Sequence, residues 1–433
     1  MPKAKKALKA APGVLAVTVD FKSGRATIGT AAGSEVPRQE LLAALESIGY
    51  SGLFIEAQEI EEKGGEPIAP LLPETPLDYT TLNLPAHVNR AALEATDSTP
   101  ADNPITNEGA TLGRVLFYDK QLSANNTIAC ASCHLQQAGF ADPNRLSVGF
   151  KGGLTGRNAM NLANLRFSNI QGHKPGFFWD ERAATLEDQA LMPIQDSVEM
   201  GMTLAKLQQR VAGLSYYPSL FEAAFGSPEV TSDRIAKAIA QFMRAMVTMD
   251  AAFDRAADES EDYSEPFAAF SDQENLGKSL FIDGVGGILE HGCAHCHVPP
   301  TFNMTKSQNN GLAMKYKDQG LGARKLPTND PFTPSNDGKF KAPSLRNVEL
   351  TAPYMHDGRF ATLQQVIDHY SDTVHAHENL TLAFAGQESA DSPAGLKFTP
   401  EQKAALVAFL KTLTDQEFIT DPRFSDPFVR NNP

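Results

Sequence analysis

The chain has 433 residues, of which 42% are hydrophobic and 21% charged, with a formal net charge of −14. That length asks for about two to four domains rather than one core, the acidic balance excludes nucleic-acid binding by the surface as a whole, and no apolar run approaches the ~18 residues of a membrane span. The basic start, MPKAKKALKAAPG, lacks the apolar run of a signal peptide.

Residues 1–60 read as a small α+β unit. A short helix over Lys3–Ala11 leads into Val14-Leu-Ala-Val-Thr-Val-Asp-Phe21, whose alternation predicts a strand. Ser23-Gly24 turns the chain into a second strand at Arg25-Ala-Thr-Ile28. Apolar residues at 41, 42, 45 and 48 predict a helix over Arg38–Ile48, stopped by Gly49, before a third strand at Leu53–Ile55. This order, with Gly13-Val14 and Gly49-Tyr50, resembles the heavy-metal-associated domain, a ferredoxin-like fold, from the middle of its first helix onward. The resemblance places that family's cysteine pair upstream of residue 1. The unit itself has no cysteine and is expected to act as a docking or spacer domain rather than a metal site. Residues 61–105 read as an extended linker, because Glu61-Glu-Lys-Gly-Gly65 is charged and flexible and prolines follow at 67, 70, 73, 76 and 85.

From residue 106 the pattern is helices separated by long loops, so the chain is mainly α. A helix begins near Leu112–Leu116. Ile235, Ile239, Phe242, Ala245 and Met246 form the stripe of a long helix over Thr231–Ala257, with Met243, Met246 and Met249 as core residues. Ser271-Asp-Gln-Glu274 has capping-box spacing, and Thr399-Pro-Glu-Gln402 adds a proline at the first helical position. The charged break Asp258-Glu-Ser-Glu-Asp262 divides this region into 106–260 and 261–433.

The four cysteines are all spent in two strings, Cys130-Ala-Ser-Cys133-His134 and Cys293-Ala-His-Cys296-His297. Cys-x-x-Cys-His is the attachment motif of c-type haem: two thiols add to the vinyl groups and the histidine ligates the iron. A zinc ribbon would bring its two pairs within ~15–20 residues and needs no histidine after each. A thioredoxin-like pair would sit in a βαβ setting, which this region lacks. Two covalently bound haems c are therefore expected, one per domain.

Around these motifs, Leu116-Phe-Tyr-Asp119, Gly156-Arg-Asn158, Phe178-Trp-Asp-Glu-Arg-Ala183, Pro193-Ile-Gln with Val198-Glu-Met200, Leu345-Arg-Asn347 and Leu350-Thr-Ala-Pro-Tyr354 resemble the bacterial di-haem cytochrome c peroxidase and MauG family over about 106–415. The resemblance implies two cytochrome c-like domains, a peroxidatic haem at His134 and an electron-transfer haem at His297. Two departures stand out. Where typical peroxidases carry a distal histidine, eight residues before Asn158, this chain has Phe150, so the first haem is expected to keep an open face. Where they carry a methionine, 14 residues after His356, it has Tyr370, as MauG-type enzymes do. A phenolate favours oxidised iron whereas methionine raises the potential. His369 is the rival ligand; neighbours on a helix point ~100° apart, so one of the two faces the iron.

The resemblance also assigns Glu199 as the acid–base residue, Pro193 as a shaper of the distal pocket, and Asn158, Thr351 and Pro353 to a calcium ion held partly by main-chain oxygens. Trp179, the only tryptophan, reads from its neighbours Phe177 and Phe178 as a core aromatic, but its family position lies between the haems. His375 and His377 read as exposed loop residues. The expected function is reduction of hydrogen peroxide with electrons from a small cytochrome c or cupredoxin, and the alternative is MauG-like oxidation of a side chain on a partner protein. Haem c attachment implies the periplasm. The missing export signal and the mid-helix start of the first unit predict coding sequence upstream of Met1.

Overall fold

The structure is a computed structural model. It describes residues 68–168, 176–260, 262–284, 292–303, 306–327, 334–381, 384 and 395–428, and in the N-terminal region residues 8, 14–20, 25–30 and 38–46. The chain divides into two compact units, Met1–Pro67 and Ile68–Pro433. Among the described residues no helix is long and apolar enough to cross a membrane.

In the first unit β1 (Val14–Asp20) pairs antiparallel with β2 (Arg25–Thr30), Val17 opposite Ile28, and α1 spans Arg38–Glu46. The alternation of β-branched residues in the two segments accounts for their pairing. Leu41, on the predicted apolar stripe, is fully buried. The expected strand at Leu53–Ile55, and the helix at Lys3–Ala11 apart from Leu8, lie outside the described residues.

The second unit is mainly helical and holds two large cores, with a small third cluster of Val88, Leu93, Phe167 and Met249. The first contains α3 (Asn107–Tyr118), α4 (Leu186–Gln195), α5 (Leu204–Ala212), α6 (Tyr217–Phe225) and α7 (Ser232–Ala245). The second contains α8 (Ala252–Asp258), α9 (Asp272–Ile282), α10 (Leu363–Asp372) and α11 (Pro400–Lys411). Caps start these helices as their sequences predict: Ser271 and Glu274 close a capping box on α9, and Thr399 and Gln402 close one on α11.

Each core is built on one close helix crossing. A Cβ on Gly113 of α3 would lie 2.0 Å from the Ala238 carbonyl oxygen of α7 and 2.8 Å from Phe242 Cβ. A Cβ on Gly277 of α9 would lie 2.0 Å from the Ala405 carbonyl oxygen of α11 and 2.8 Å from Phe409 Cβ. The same contact is thus made twice, by a glycine ahead of each Cys-x-x-Cys-His and a helix well after it. Buried Leu112, Leu116, Ile235 and Ile239 flank the first crossing, and Leu280, Leu406 and Leu410 the second. Each such side chain contributes ~1.5–3 kcal/mol by leaving water.

Three features depart from the sequence expectations. Residues 68–105 are not a free linker but belong to the larger unit: Tyr79 and Leu93 are buried, and α2 spans Arg90–Glu94, capped by Asn89. The proline-rich composition sets an extended path, yet single anchors such as Tyr79, whose hydroxyl donates to the Arg423 carbonyl at 2.8 Å, hold it down. The long helix expected over Thr231–Ala257 is two helices, α7 and α8. Between them the Thr248 N–H donates to the Asn164 side chain and its hydroxyl to Asp415, replacing helical bonds with side-chain ones. The cores also cross the expected boundary at 260, since Phe253 lies in the second core and Phe418 and Phe424 return to the first.

Candidate functional site

Each Cys-x-x-Cys-His is one 3₁₀ turn, Cys130–Ser132 and Cys293–His295, after which the chain bonds back on itself: the His134 N–H donates to the Cys130 carbonyl and the His297 N–H to that of Cys293, both at 3.0 Å. This brings the two thiols and the imidazole of each motif to one cavity. His134 Nδ1 is 2.9 Å from the Phe140 carbonyl, and His297 Nδ1 is 3.2 Å from that of Phe302. Donation there fixes the tautomer and leaves Nε2 with its lone pair for a metal. Both acceptors are phenylalanines at positive φ, 60° for Phe140 and 53° for Phe302. A non-glycine residue is strained by ~1–3 kcal/mol there, and in both halves that strain sits on the residue whose carbonyl orients the histidine. Burial lowers the pKa of His134, and that of His297 to about 4, so both rings stay neutral.

The first cavity has a volume of about 410 Å³ and is lined by Cys130, Cys133 and His134 on one side and by residues of α4 and the 196–200 loop on another. Pro193 and Glu199 both line it. The loop is held by Asp196, whose carboxylate accepts the N–H groups of Val198 and Glu199 at 2.7 and 3.0 Å. Burial raises the pKa of the Glu199 carboxyl, the nearby Asp196 charge raises it further, and Arg182 opposes both. Among the described residues lining this cavity, His134 is the only histidine. Phe150 does not line it. Its N–H donates to the Glu199 carbonyl at 3.0 Å, and its ring packs on Gly201, where a Cβ would meet it at 2.3 Å.

The second cavity, about 200 Å³, is lined by Cys293, Cys296, His297, Met355, His356 and Tyr370 among others. Tyr370 stacks on Phe384 at 5.2 Å, and its hydroxyl lies 3.3 Å from Asn310 Nδ2. Burial pushes its phenol up to about 12, with Asn310 opposing, so the phenolate forms readily only beside a cation. His369 does not line the cavity. Its Nε2 is 2.9 Å from the Asn310 carbonyl and its Nδ1 is 3.2 Å from the Thr373 hydroxyl, so both nitrogens are engaged elsewhere. His375 is exposed. His377 is not: its Nδ1 accepts the Asn379 N–H at 3.0 Å and its ring packs edge-on to Tyr316.

Asn158, Ala159, Met160, Asn161, Trp179 and Lys341 line both cavities and form the wall between them. Trp179 donates its Nε1–H to the Asn158 carbonyl at 2.8 Å, and its own carbonyl accepts the Lys341 N–H at 2.9 Å. Its ring stands edge-on to His356, which stacks on Phe340 at 3.6 Å. Thr351 and Pro353 line the second cavity together with Asn158. Among the described residues no group of three or more His, Cys, Asp or Glu side chains suits a metal ion.

These features fit haem c. The pairs of thiols open onto separate cavities, which excludes one shared four-thiolate centre. Burial pushes Cys130 and Cys293 up to about 12 and Cys133 and Cys296 to about 11, so all four stand as neutral thiols in their cavities. Each cavity pairs a tautomer-fixed imidazole with apolar walls. No local pattern in the sequence points to Lys341, to Asn310 or to the two strained phenylalanines. Arg182 sat within the quoted Phe-Trp-Asp-Glu-Arg-Ala string, and its effect on Glu199 emerged only in three dimensions.

The family model of the di-haem cytochrome c peroxidases matches residues 107–262. The methylamine utilization protein MauG of Methylophilus methylotrophus is 34% identical over 306 residues, 69% of this chain and 82% of that protein. The cytochrome c551 peroxidase of Nitrosomonas europaea is 32% identical over 339 residues, 78% of this chain and 88% of that protein. A MauG-like protein associated with microbial copper homeostasis superposes with a TM-score of 0.63 at 32% identity, over 81% of this chain and 99% of that one.

Proposed function

We propose, since the chain belongs to the di-haem cytochrome c peroxidase and MauG family and is thereby an oxidoreductase acting on peroxide, that it reduces hydrogen peroxide to water at the first cavity with electrons from a small cytochrome c or cupredoxin. Two c-type haems, which the family implies, would supply the iron centres that exchange electrons with peroxide and donor. His134 and His297 would each hold one from Nε2, with Cys130 and Cys133, and Cys293 and Cys296, as the covalent anchors. Glu199 carries the reading: a carboxyl with a raised pKa lines the cavity of His134, where no second histidine stands. Its carboxylate would take the proton from the near oxygen of peroxide and return it to the far oxygen, which leaves as water. Pro193 walls the same space, and the Phe150–Glu199 main-chain bond positions the carboxylate. Trp179, in the wall common to both cavities, would shorten electron exchange between them.

Tyr370 favours a second reading, MauG-like oxidation of a side chain on a partner protein, because a phenolate ligand retains oxidising power that methionine would lose. Steady-state oxidation of a reduced small cytochrome or cupredoxin by peroxide tests the first reading. Loss of donor oxidation with continued oxidation of a partner side chain points to the second. Asn158, Thr351 and Pro353 would bind calcium through amide and main-chain oxygens. The first unit would be a docking or spacer domain of heavy-metal-associated, ferredoxin-like fold that binds no metal through cysteine. Haem c attachment would place the protein in the periplasm, and an acidic chain suits a basic redox partner.

A further inference from the structure

Outside both cavities, Tyr263, His87, Asp254 and Arg346 form a chain of side chains. The Tyr263 hydroxyl is 2.6 Å from His87 Nδ1, and His87 Nε2 is 3.1 Å from Asp254 Oδ1. Asp254 is gripped by both terminal nitrogens of Arg346, and the side chains of His87, Asp254 and Arg346 are nearly or fully buried. Burial alone would raise the Asp254 carboxyl, but the Arg346 guanidinium and the bonds from His87 and the Ala251 N–H outweigh it, so Asp254 is a carboxylate. A carboxylate only accepts, so His87 must carry its proton on Nε2. In the neutral ring Nδ1 is then the lone pair that faces the Tyr263 O–H at 2.6 Å. Tyr79, Tyr118 and Tyr354 instead donate to main-chain carbonyls, which take up no proton, and Tyr216 and Tyr217 share the Asp119 carboxylate in the first core, away from the second cavity.

This base-paired phenol is joined to the second cavity by aromatic contacts. The Tyr263 ring lies 5.6 Å from Phe253, and Phe253 lies 5.1 Å from Phe302, whose carbonyl orients His297. Arg346 also donates to the Pro300 carbonyl at 2.7 Å, so the same network ties Tyr263 to the loop after the second motif. Tyr263 itself is only half-buried.

We propose that Tyr263 is a redox-active tyrosine on the proximal side of the second cavity, with His87 as its proton acceptor and Asp254 as the positioning residue that holds His87 in the required tautomer. The inference rests on the peroxide reading above, because peroxide is the oxidant. Reduction of one H₂O₂ to two H₂O takes two electrons and two protons. Tyr263 would supply one electron and the haem held by His297, when bound, would supply the other, with both protons drawn from solvent. As the electron leaves Tyr263, the phenolic proton moves to His87 Nδ1, and the imidazolium is held against Asp254. Two electrons from one-electron donors at the surface close the cycle: one restores Tyr263 as the proton returns from His87, and the second would pass through Tyr263 to the haem held by His297. Tyr263 is thereby a relay between the second haem and a partner at this face.

The test is freeze-quench electron paramagnetic resonance of the haem-loaded full chain after peroxide, with haem absorption followed in parallel. Expected is a tyrosyl signal that is lost in Tyr263→Phe and altered in hydrogen-bond character in His87→Asn, while the haem response persists. An unchanged signal in Tyr263→Phe, or a haem response in the native protein with no tyrosyl signal, overturns the inference but not the peroxide reading. If the haems ignore peroxide, that reading has failed, and photogenerated ruthenium(III) tris-bipyridine serves as the one-electron oxidant. Loss of most of the tyrosyl yield in Tyr263→Phe then supports the assignment, and an equal yield overturns it.

Discussion

The two haem halves share their scaffold and differ in what faces the histidine. Both cross two helices at a glycine, and both aim the carbonyl of a positive-φ phenylalanine at the histidine Nδ1. The first cavity then receives Glu199, Asp196 and Arg182, whereas the second receives Tyr370 packed against Phe384. Helix packing and proximal geometry are thus a repeated frame, and chemical difference comes from the segments that line each cavity, the 196–200 loop in the first and α10 in the second. A duplicated frame with two unlike walls is what a division of labour between two irons requires.

The sharpest way to break this comparison is to remove the titratable group from one wall only. Glu199→Gln keeps the shape of the side chain and takes away the proton acceptor. We expect kcat for peroxide reduction to fall by about 10²–10⁴-fold, with the spectrum of the second haem unchanged. An equal effect on both haems would mean that Glu199 shapes the wall without handling a proton. The pH profile sharpens the same point. The Glu199 pKa is raised, by burial first and by Asp196 second, and the base form is the carboxylate. Peroxide reduction therefore falls as pH drops through that raised value, and Glu199→Gln flattens this limb. The stability term has the opposite sense: a carboxyl raised in the folded state loses stability as pH rises through its folded pKa.

Next comes the frame itself. Gly113→Ala and Gly277→Ala each drive a Cβ against a backbone carbonyl, which cannot swing aside, and overpacking of this kind costs ~1–3 kcal/mol or more. Thermal unfolding should show losses of similar size for the two variants. A large loss in one and none in the other would sink the idea of one crossing used twice.

Much of this was legible in the sequence, and the boundary of legibility has a physical cause. The Cys-x-x-Cys-His strings, the capping boxes at Ser271 and Thr399 and the pairing of β1 with β2 are local, so their geometry follows from nearby residues. The separation from His356 to Tyr370 was legible only through family resemblance, yet Tyr370 does line the cavity. What could not be read were pairings between distant segments. Residues 68–105 looked like linker because their composition is proline-rich, but Tyr79 bonds Arg423 and His87 bonds Asp254 and Tyr263, all far along the chain. The repeated crossing was also hidden, since a lone glycine in a helical pattern does not say which carbonyl it meets.

A change on the second wall should act on potential more than on rate. Tyr370→Met replaces a group that favours oxidised iron with one that raises the potential, within the ~0.8 V range that axial ligands span. Spectroelectrochemistry should show the second haem becoming easier to reduce while the first is unmoved. If the first haem shifts equally, the two walls are not independent.

The smallest effect on the irons is expected from the neighbour of Tyr370. His369→Leu removes an imidazole that bonds the Asn310 carbonyl and the Thr373 hydroxyl and does not line the cavity. Leaving the buried acceptor unpaired costs ~1–3 kcal/mol, so the melting temperature should drop. The ligand signature of the second haem should stay as in the native protein, because the ring that would have to leave the iron was never aimed at it. Magnetic circular dichroism of the ferric protein reads that signature directly. A change of axial ligand in His369→Leu, with Tyr370→Met spectroscopically silent, would reverse the assignment of the second wall and with it the contrast between the two cavities.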